Sequence, residues 1–259
     1  MSAEGILDRV PPPPDKRVAY GADPNQFFEV RLPRSGQPSS GLLNIHGGFW
    51  RAKYDLKHAG HLCEAFRRNG IATFNLEYRR VGNAGGGWPG TFEDVRAAYR
   101  FIRNEFSGFL VDPNRFAVMG HSAGGQLALC LAAHETSVRR VVCLAGVVDL
   151  KKAFSLHLSN DAVAEFLGGT PEAVPEHYRE ADPMELTISQ GRQWLILGTE
   201  DDTVPPDFSR NFVTQKNKVG KTAQLLEVPK AGHFDLIDPE SEAFKEVSRT
   251  VAKALSENV

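Results

Sequence analysis

The feature that most constrains the fold of this chain is a glycine-rich hexapeptide, GHSAGG, at residues 120–125. An apolar run typical of a buried strand precedes it at 116–119, and a run of strong helix formers follows it at 126–133. The order strand, tight turn, helix predicts that the pattern G-x-S-x-G forms a strained turn with Ser122 at its apex. The flanking glycines remove side chains that would collide in such a turn. We therefore expect the Ser122 hydroxyl to stand clear of the backbone, as a nucleophile requires.

Length and composition predict a single globular domain over residues 1–259, with 41% hydrophobic and 24% charged residues. A formal net charge of -2 and the lack of a long basic run argue against nucleic-acid or anionic-membrane partners. No apolar stretch approaches the roughly 18 residues that a membrane span needs. The three cysteines lie in apolar segments without a C-x-x-C pair, which favours reduced thiols and a cytoplasmic location.

Strand and helix patterns alternate along the chain. Strands are predicted at 40–45, 71–78, 116–119, 138–144, 193–197 and 223–228, and helices at 56–68, 91–106, 126–133 and 240–255. This alternation predicts an α/β fold, with a mainly parallel, twisted sheet covered by helices on both faces. Residues 18–32 are predicted to form an N-terminal hairpin or edge strand, and residues 1–17, with four consecutive prolines, an extended arm. Residues 149–186 lose the regular pattern, and we interpret them as a small cap insertion over the carboxyl edge of the sheet.

A serine hydroxyl becomes a good nucleophile only when a base takes its proton and an acid orients that base. In a strand-turn-helix site of this kind the expected chain order is serine, acid, histidine. His233 lies between the last predicted strand and the last predicted helix, where that order places the base. The other downstream histidines are His134, His157 and His177, at the end of a helix or in the predicted cap.

The acid is expected in the loop after the strand at 193–197, where three acidic residues follow one another at 200–202. Side-chain chemistry alone does not choose between them. The pattern G-x-x-D-x-x-V-P, which resembles the acid loop of many α/β-hydrolases, fits Asp201. Asp202 is the alternative, and Asp149 is a weaker candidate.

The segment HGGFW at residues 46–50 is predicted to complete the site. Backbone N–H groups must be fixed where negative charge develops on the substrate carbonyl oxygen. One is expected from Ala123, the residue after the serine, and a second from Gly48 or Phe49. Trp50, Trp88 and Phe49 are expected to line an acyl or aryl pocket, with packing of loop against core as the alternative for each.

Together these motifs resemble the α/β-hydrolase superfamily over nearly the whole chain. HGG with GHSAGG is similar to the branch shared by hormone-sensitive-lipase-like carboxylesterases and arylformamidases (kynurenine formamidases). HGGFW resembles the formamidase pattern H-G-G-x-W, and YGADPNQ at 20–26 resembles the N-terminal segment of that family. Both features also occur in bacterial-type esterases and dienelactone-hydrolase-like proteins.

The expected activity is hydrolysis of a small carboxylic ester by Ser122, His233 and Asp201 through an acyl-enzyme. Arylformamidase activity on N-formylkynurenine is the first alternative, and a non-catalytic binding protein of the same fold is the second. A peptidase of the prolyl-oligopeptidase type is less favoured, because the chain is too short to carry the usual extra domain. We expect a small-molecule ester or amide substrate and no metal or organic cofactor. An edge strand or the cap could support a homodimer, although no residue pattern requires one.

Overall fold

The computed structural model describes residues 3–220 and 223–257, and an eight-stranded sheet lies at its centre. The strand order is β1-β2-β4-β3-β5-β6-β7-β8. The strands are β1 (Lys16–Ala19), β2 (Phe27–Arg31), β3 (Ser39–Ile45), β4 (Ile71–Leu76), β5 (Val111–His121), β6 (Arg140–Leu144), β7 (Arg192–Gly198) and β8 (Ala223–Val228). The β1–β2 and β2–β4 pairs are antiparallel and the other pairs are parallel, which confirms the predicted N-terminal hairpin and mainly parallel sheet.

Helices cover both faces of this sheet, as the alternation of patterns predicted. They are α1 (Gly60–Arg68), α2 (Gly90–Asn104), α3 (Ala123–His134), α4 (Leu150–Ser155), α5 (Ala162–Leu167), α6 (Pro175–Ala181), α7 (Asp207–Lys218) and α8 (Ala243–Ser256). Sequence reasoning missed α7, a mainly polar helix between β7 and β8 that buries five of its twelve residues. None of the helices described here has the length and apolar character needed to cross a bilayer.

Strand β5 explains why the sheet needs helices on both sides. Its side chains alternate between the two faces, and both faces are buried. Phe116 and Val118 belong to the apolar cluster that contains side chains of α2 and α3, whereas Ala117 and Met119 belong to the cluster that contains side chains of α1 and α8. The two apolar clusters therefore bury both faces of β5, the strand that leads to Ser122.

Residues 1 and 2 of the predicted extended arm (1–17) lie outside the described residues, and the rest of the segment, 3–17, is not extended throughout. A short 3-10 helix spans Ala3–Leu7, and the side chain of Ile6 is fully buried in the α1–α8 cluster. Strand β1 then begins at Lys16. A buried isoleucine stabilises an ordered segment that a polar, proline-rich composition did not suggest.

The irregular stretch between β6 and β7 contains the three short helices α4, α5 and α6. It occupies the residues interpreted above as a cap, and that interpretation stays a prediction. The cysteines at 63, 130 and 143 are buried and form no disulfide in the described chain. Because β3, β5, β7 and β8 are parallel, the loops at their carboxyl ends meet along one edge of the sheet, where the candidate site lies.

Candidate active site

Ser122 is the single residue between a strand and a helix, since β5 ends at His121 and α3 begins at Ala123. Its backbone has φ 56° and ψ -120°, a conformation that L-residues rarely adopt. The glycines on either side permit this turn. A Cβ at Gly120 would lie 2.0 Å from the carbonyl oxygen of Gly124, and a Cβ at Gly124 would lie 2.0 Å from that of Ile45. The pattern G-x-S-x-G is thus required by backbone contacts on both sides of the serine.

His233 and Asp201 form a buried pair beside this turn. Asp201 lies in the loop after β7 and His233 in the loop after β8, and their Nδ1 and Oδ2 atoms are 2.7 Å apart. The other carboxylate oxygen of Asp201 accepts the backbone N–H groups of Thr203 and Val204 at 2.9 and 2.8 Å. With Nδ1–H donated to the carboxylate, Nε2 of a neutral His233 is left as an acceptor.

The other acidic candidates lie elsewhere. Asp202 is exposed and accepts the hydroxyl of Thr203 at 3.3 Å. Asp149 caps α4, where its side chain accepts the N–H of Lys152 at 2.9 Å. The structure therefore brings Asp201, and neither alternative, to His233.

Ser122 and His233 open into the same cavity, which has a volume of about 350 Å³. The residues that line it are Leu7, Gly48, Phe49, Tyr54, His58, His121, Ser122, Ser159, Thr203, His233 and Phe234. Aromatic rings and small polar groups predominate, and no Asp, Glu, Lys or Arg is among these lining residues of the described chain.

The loop after β3 borders the same cavity. Gly48 has φ 110° and Phe49 has φ 48°, so this loop turns sharply beside the serine. A Cβ at Gly47 would lie 2.9 Å from the Cβ of Ser122, which explains a glycine there. Within residues 3–220 and 223–257, the N–H groups of Gly48 and Phe49 donate no hydrogen bond. The N–H of Ala123, as the first residue of α3, has no acceptor within its helix. All three predicted donors thus remain available next to Ser122.

A buried network of charged side chains contacts the loop after β3, and sequence reasoning did not find it. His46 lies 2.7 Å through Nδ1 from the carbonyl oxygen of Gly47 and 3.2 Å through Nε2 from Oε1 of Glu77. Burial alone would raise the pKa of Glu77, but the charge and hydrogen bond of His46, the charge of Arg80 and the backbone N–H of Tyr78 outweigh it and hold that pKa below its usual range. The hydroxyl of Tyr78 also donates to the His46 carbonyl at 2.8 Å. The run EYRR at 77–80, directly after a buried strand, is the signal in the sequence that indicates such a network.

The structure corrects the prediction that Trp50 lines the pocket. Its side chain is fully buried, its ring stacks on Phe166 at 4.6 Å, and its Nε1–H donates to Oε1 of Gln126 at 3.0 Å. Trp88 is half-buried and stacks on Phe92 at 5.3 Å, also outside the cavity lining. Of the three predicted aromatic residues, Phe49 alone lines the cavity, whereas Phe166 and Gln126 hold the ring of Trp50 in the core.

Two histidines that were not among the predicted site residues also line the cavity. His121 is buried, and its Nε2 lies 3.0 Å from the backbone carbonyl oxygen of His233. His58, in the 3-10 helix just before α1, also lines the cavity. Burial, with the neighbouring charge of His46, lowers the pKa of His58 to about 3. An imidazole with that pKa is neutral at physiological pH and can form hydrogen bonds without carrying charge.

Comparisons with known proteins support this description of the fold. The chain is 28% identical to Esterase LipC of Mycobacterium tuberculosis over 250 residues, covering 86% of this chain and 60% of LipC. It is 26% identical to Esterase LipQ of the same organism over 240 residues, covering 86% of this chain and 55% of LipQ. The chain thus spans little more than half the length of these relatives. A solved structure described as a truncated carbohydrate esterase from gut microbiota superimposes with a TM-score of 0.81 at 21% identity, covering 96% of this chain and 100% of that one.

The fold predicted from the motifs is confirmed: it is that of the α/β-hydrolases. Nothing in these comparisons favours the formamidase branch in particular. A family model described as BD-FAE matches residues 29–215, from within β2 to within α7, a range that includes Ser122 and Asp201. That match covers most of the chain, and the chain belongs to the BD-FAE family.

Proposed function

We propose that this protein hydrolyses small, uncharged carboxylic esters through an acyl-enzyme on Ser122. The observation that carries this proposal is that Ser122, on a strained strand-helix turn, lines one cavity with His233, whose Nδ1 lies 2.7 Å from the buried carboxylate of Asp201. The names of LipC and LipQ, both esterases, support the same class of reaction. Membership of the BD-FAE family agrees with it.

In the proposed reaction, Oγ of Ser122 attacks the ester carbonyl carbon while Nε2 of His233 takes the hydroxyl proton. Asp201 keeps the imidazole in the tautomer that accepts this proton and stabilises the imidazolium that results. The N–H groups of Ala123 and of Gly48 or Phe49 donate to the oxyanion of the tetrahedral intermediate.

As the carbon–oxygen bond of the ester breaks, His233 returns the proton to the departing alkoxide, which leaves as an alcohol. Water then attacks the acyl-Ser122, and the same imidazole takes a proton from it and passes one back to Ser122. The products are one carboxylic acid and one alcohol, and the enzyme is regenerated.

Cavity size and charge narrow the proposed substrate. A volume of about 350 Å³ is close to the lower limit of ligand pockets, which run from about 300 to 1,000 Å³, and this favours short acyl groups. A charged group of a substrate would lose its hydrating water in this cavity, because the described lining residues include no Asp, Glu, Lys or Arg to pair with it. Phe49, Tyr54 and Phe234 supply aromatic surface for a flat or apolar group.

Arylformamidase activity is the second candidate, and the aromatic lining is the observation that favours it. The charge argument weighs against it, because N-formylkynurenine carries an ammonium and a carboxylate group. The deciding experiment compares N-formylkynurenine with p-nitrophenyl acetate and butyrate, with Ser122→Ala as the blank. We expect the wild-type protein to hydrolyse the esters and to hydrolyse N-formylkynurenine at a negligible rate. In Ser122→Ala, kcat for the esters should fall by roughly 10⁴-fold or more. A higher kcat/KM for the formamide would replace the ester assignment, and equal ester rates in wild type and Ser122→Ala would exclude Ser122 as the nucleophile.

A further inference from the structure

The N-terminal strap, which we define as residues 5–12, reaches the candidate active site from the far end of the chain. Leu7 lines the cavity that contains Ser122 and His233. The neighbouring Ile6 is fully buried. A side chain from outside the four active-site loops therefore forms part of the cavity wall.

Ion pairs attach the strap to the loop that carries His233. The guanidinium of Arg9 contacts the carboxylates of Asp238 and Glu240, the latter at 2.9 Å. Both acids lie between β8 and α8, five and seven residues after His233. The Arg9 and Asp238 side chains are 26% and 15% exposed, so this pair is partly shielded from solvent. These ion pairs hold the segment that carries Leu7 against the loop that carries His233.

The other end of the strap is fixed by close packing. A Cβ at Gly60, the first residue of α1, would lie 2.5 Å from Cβ of Pro11. The buried side chain of Arg31 donates to the carbonyl oxygen of Pro12 at 2.8 Å. With Ile6 in the core, Arg9 on the His233 loop and Pro11–Pro12 against α1 and β2, the strap has anchors on both sides of Leu7.

We propose that the N-terminal strap is a specificity element in which Leu7 limits the length of the substrate group accepted beside Ser122. This inference rests on the proposed ester hydrolysis. An apolar side chain held on both sides cannot retreat from a longer alkyl chain without disrupting Ile6 or Arg9. A smaller side chain at position 7 enlarges the cavity while the other lining residues stay the same. A larger side chain at position 7 makes the cavity smaller.

The test is the chain-length dependence of hydrolysis in wild type, Leu7→Ala and Leu7→Phe. Two series are needed, p-nitrophenyl esters from acetate to octanoate and acetate esters from methyl to octyl, because either the acyl or the alcohol group can face Leu7. In one series, we expect Leu7→Ala to raise kcat/KM for the longest member relative to the shortest by about tenfold, and Leu7→Phe to lower that ratio. Arg9→Gln is expected to shift the ratio in the same direction as Leu7→Ala by a smaller factor, because the strap is then held less firmly.

Matched controls separate this effect from general damage to the protein. Leu110→Ala truncates a partly exposed leucine before β5, at the opposite end of that strand from Ser122, and Arg249→Gln removes an exposed ion pair with Glu246 on α8. Both are expected to keep the wild-type ratios. Ratios in Leu7→Ala within about twofold of wild type in both series would overturn the proposal.

Failure of the proposed function would be recognised separately. If wild type and Ser122→Ala hydrolyse every ester at the same rate, the ester mechanism is wrong, and the strap is then tested by binding alone. Calorimetric titration of Ser122→Ala and Ser122→Ala/Leu7→Ala with the same p-nitrophenyl and alkyl esters gives the dependence of Kd on chain length. A gain in affinity for the longer esters in the double variant supports the strap as a size filter. An unchanged dependence, or no binding to either protein, overturns it.

Discussion

The imidazole of His121 contacts the backbone of His233, with Nε2 of His121 3.0 Å from the carbonyl oxygen of His233. A carbonyl oxygen only accepts, so the proton of a neutral His121 resides on Nε2. Burial, together with the nearby His233, holds the pKa of His121 well below its usual range, which keeps this tautomer neutral. The residue that precedes the proposed nucleophile thus positions the loop of the proposed base.

Replacement of His121 by Phe removes this hydrogen bond while keeping a ring in the site. We expect kcat for p-nitrophenyl acetate to fall by about 10- to 100-fold, because small displacements of a catalytic group are costly. His121→Gln retains a side-chain N–H near the position of Nε2 and is expected to recover most of that loss. Wild-type kcat in a folded His121→Phe protein would show that the contact does not position His233.

The neighbouring acids Asp201 and Asp202 provide a matched pair of variants. Asp201→Asn keeps the shape but removes the carboxylate that accepts from Nδ1 of His233. We expect kcat to fall by about 10⁴-fold, since the amide favours the wrong imidazole tautomer. Asp202→Asn changes an exposed side chain and is expected to retain activity close to that of wild type. Equal losses in the two variants would remove Asp201 from its proposed role.

Trp50 tests whether a side chain of the HGGFW motif binds substrate or stabilises the core. In Trp50→Phe, Oε1 of Gln126 loses its donor inside the protein. We expect a loss of about 2–3 kcal/mol in the free energy of unfolding, measured by urea denaturation, with KM for short esters unchanged.

Trp194→Phe is the control for Trp50→Phe. Trp194 is buried, but its Nε1 has no hydrogen-bond partner in the described chain, so its replacement loses packing alone. Trp50→Phe should therefore be the more destabilising of the two by about 1 kcal/mol or more. A raised KM with little loss of stability would return Trp50 to the substrate pocket.

The pairing of His233 with an acid followed from the chain order expected of this kind of site, whereas local patterns were sufficient to predict the strands and the turn at Ser122. These features depend on short stretches of sequence, such as the glycines at 120 and 124, whose role is set by contacts of their own backbone. The choice of Asp201 over Asp202 came from motif resemblance, and the 2.7 Å contact with His233 now supplies the geometric reason.

The residues that line the cavity could not be predicted from local patterns, because they come from segments that are far apart in the sequence. Leu7, Tyr54, His58 and Ser159 meet only after the sheet and its loops are assembled. Trp50 was misassigned because an aromatic residue next to an active-site glycine has the same sequence signal whether it turns outward or inward. Phe49 and Trp50 both have a positive φ, but Trp50 packs on Phe166 and donates to Gln126, and these partners come from distant segments that local sequence does not reveal.

His58 should make the stability of the protein dependent on pH. Its pKa is lowered to about 3 by burial and by His46, against the opposing influence of Asp55 and Glu77. A histidine in the unfolded chain has a pKa of about 6.5, so between roughly pH 6.5 and 3 the unfolded state binds a proton that the folded state does not. The stabilising contribution of neutral His58 is complete above pH 6.5 and is lost as the pH falls, by at most about 1.4 kcal/mol per pH unit.

Urea denaturation of wild type and His58→Gln at about pH 7, 5.5 and 4.5 measures this loss. We expect the free energy of unfolding of wild type to fall more steeply with acidification than that of His58→Gln, because glutamine does not titrate. His134→Gln, a change at an exposed histidine, is the control and should keep the wild-type slope. Parallel curves for wild type and His58→Gln would mean that His58 binds its proton equally well in the folded protein, and that the imidazole in the cavity carries charge in mild acid.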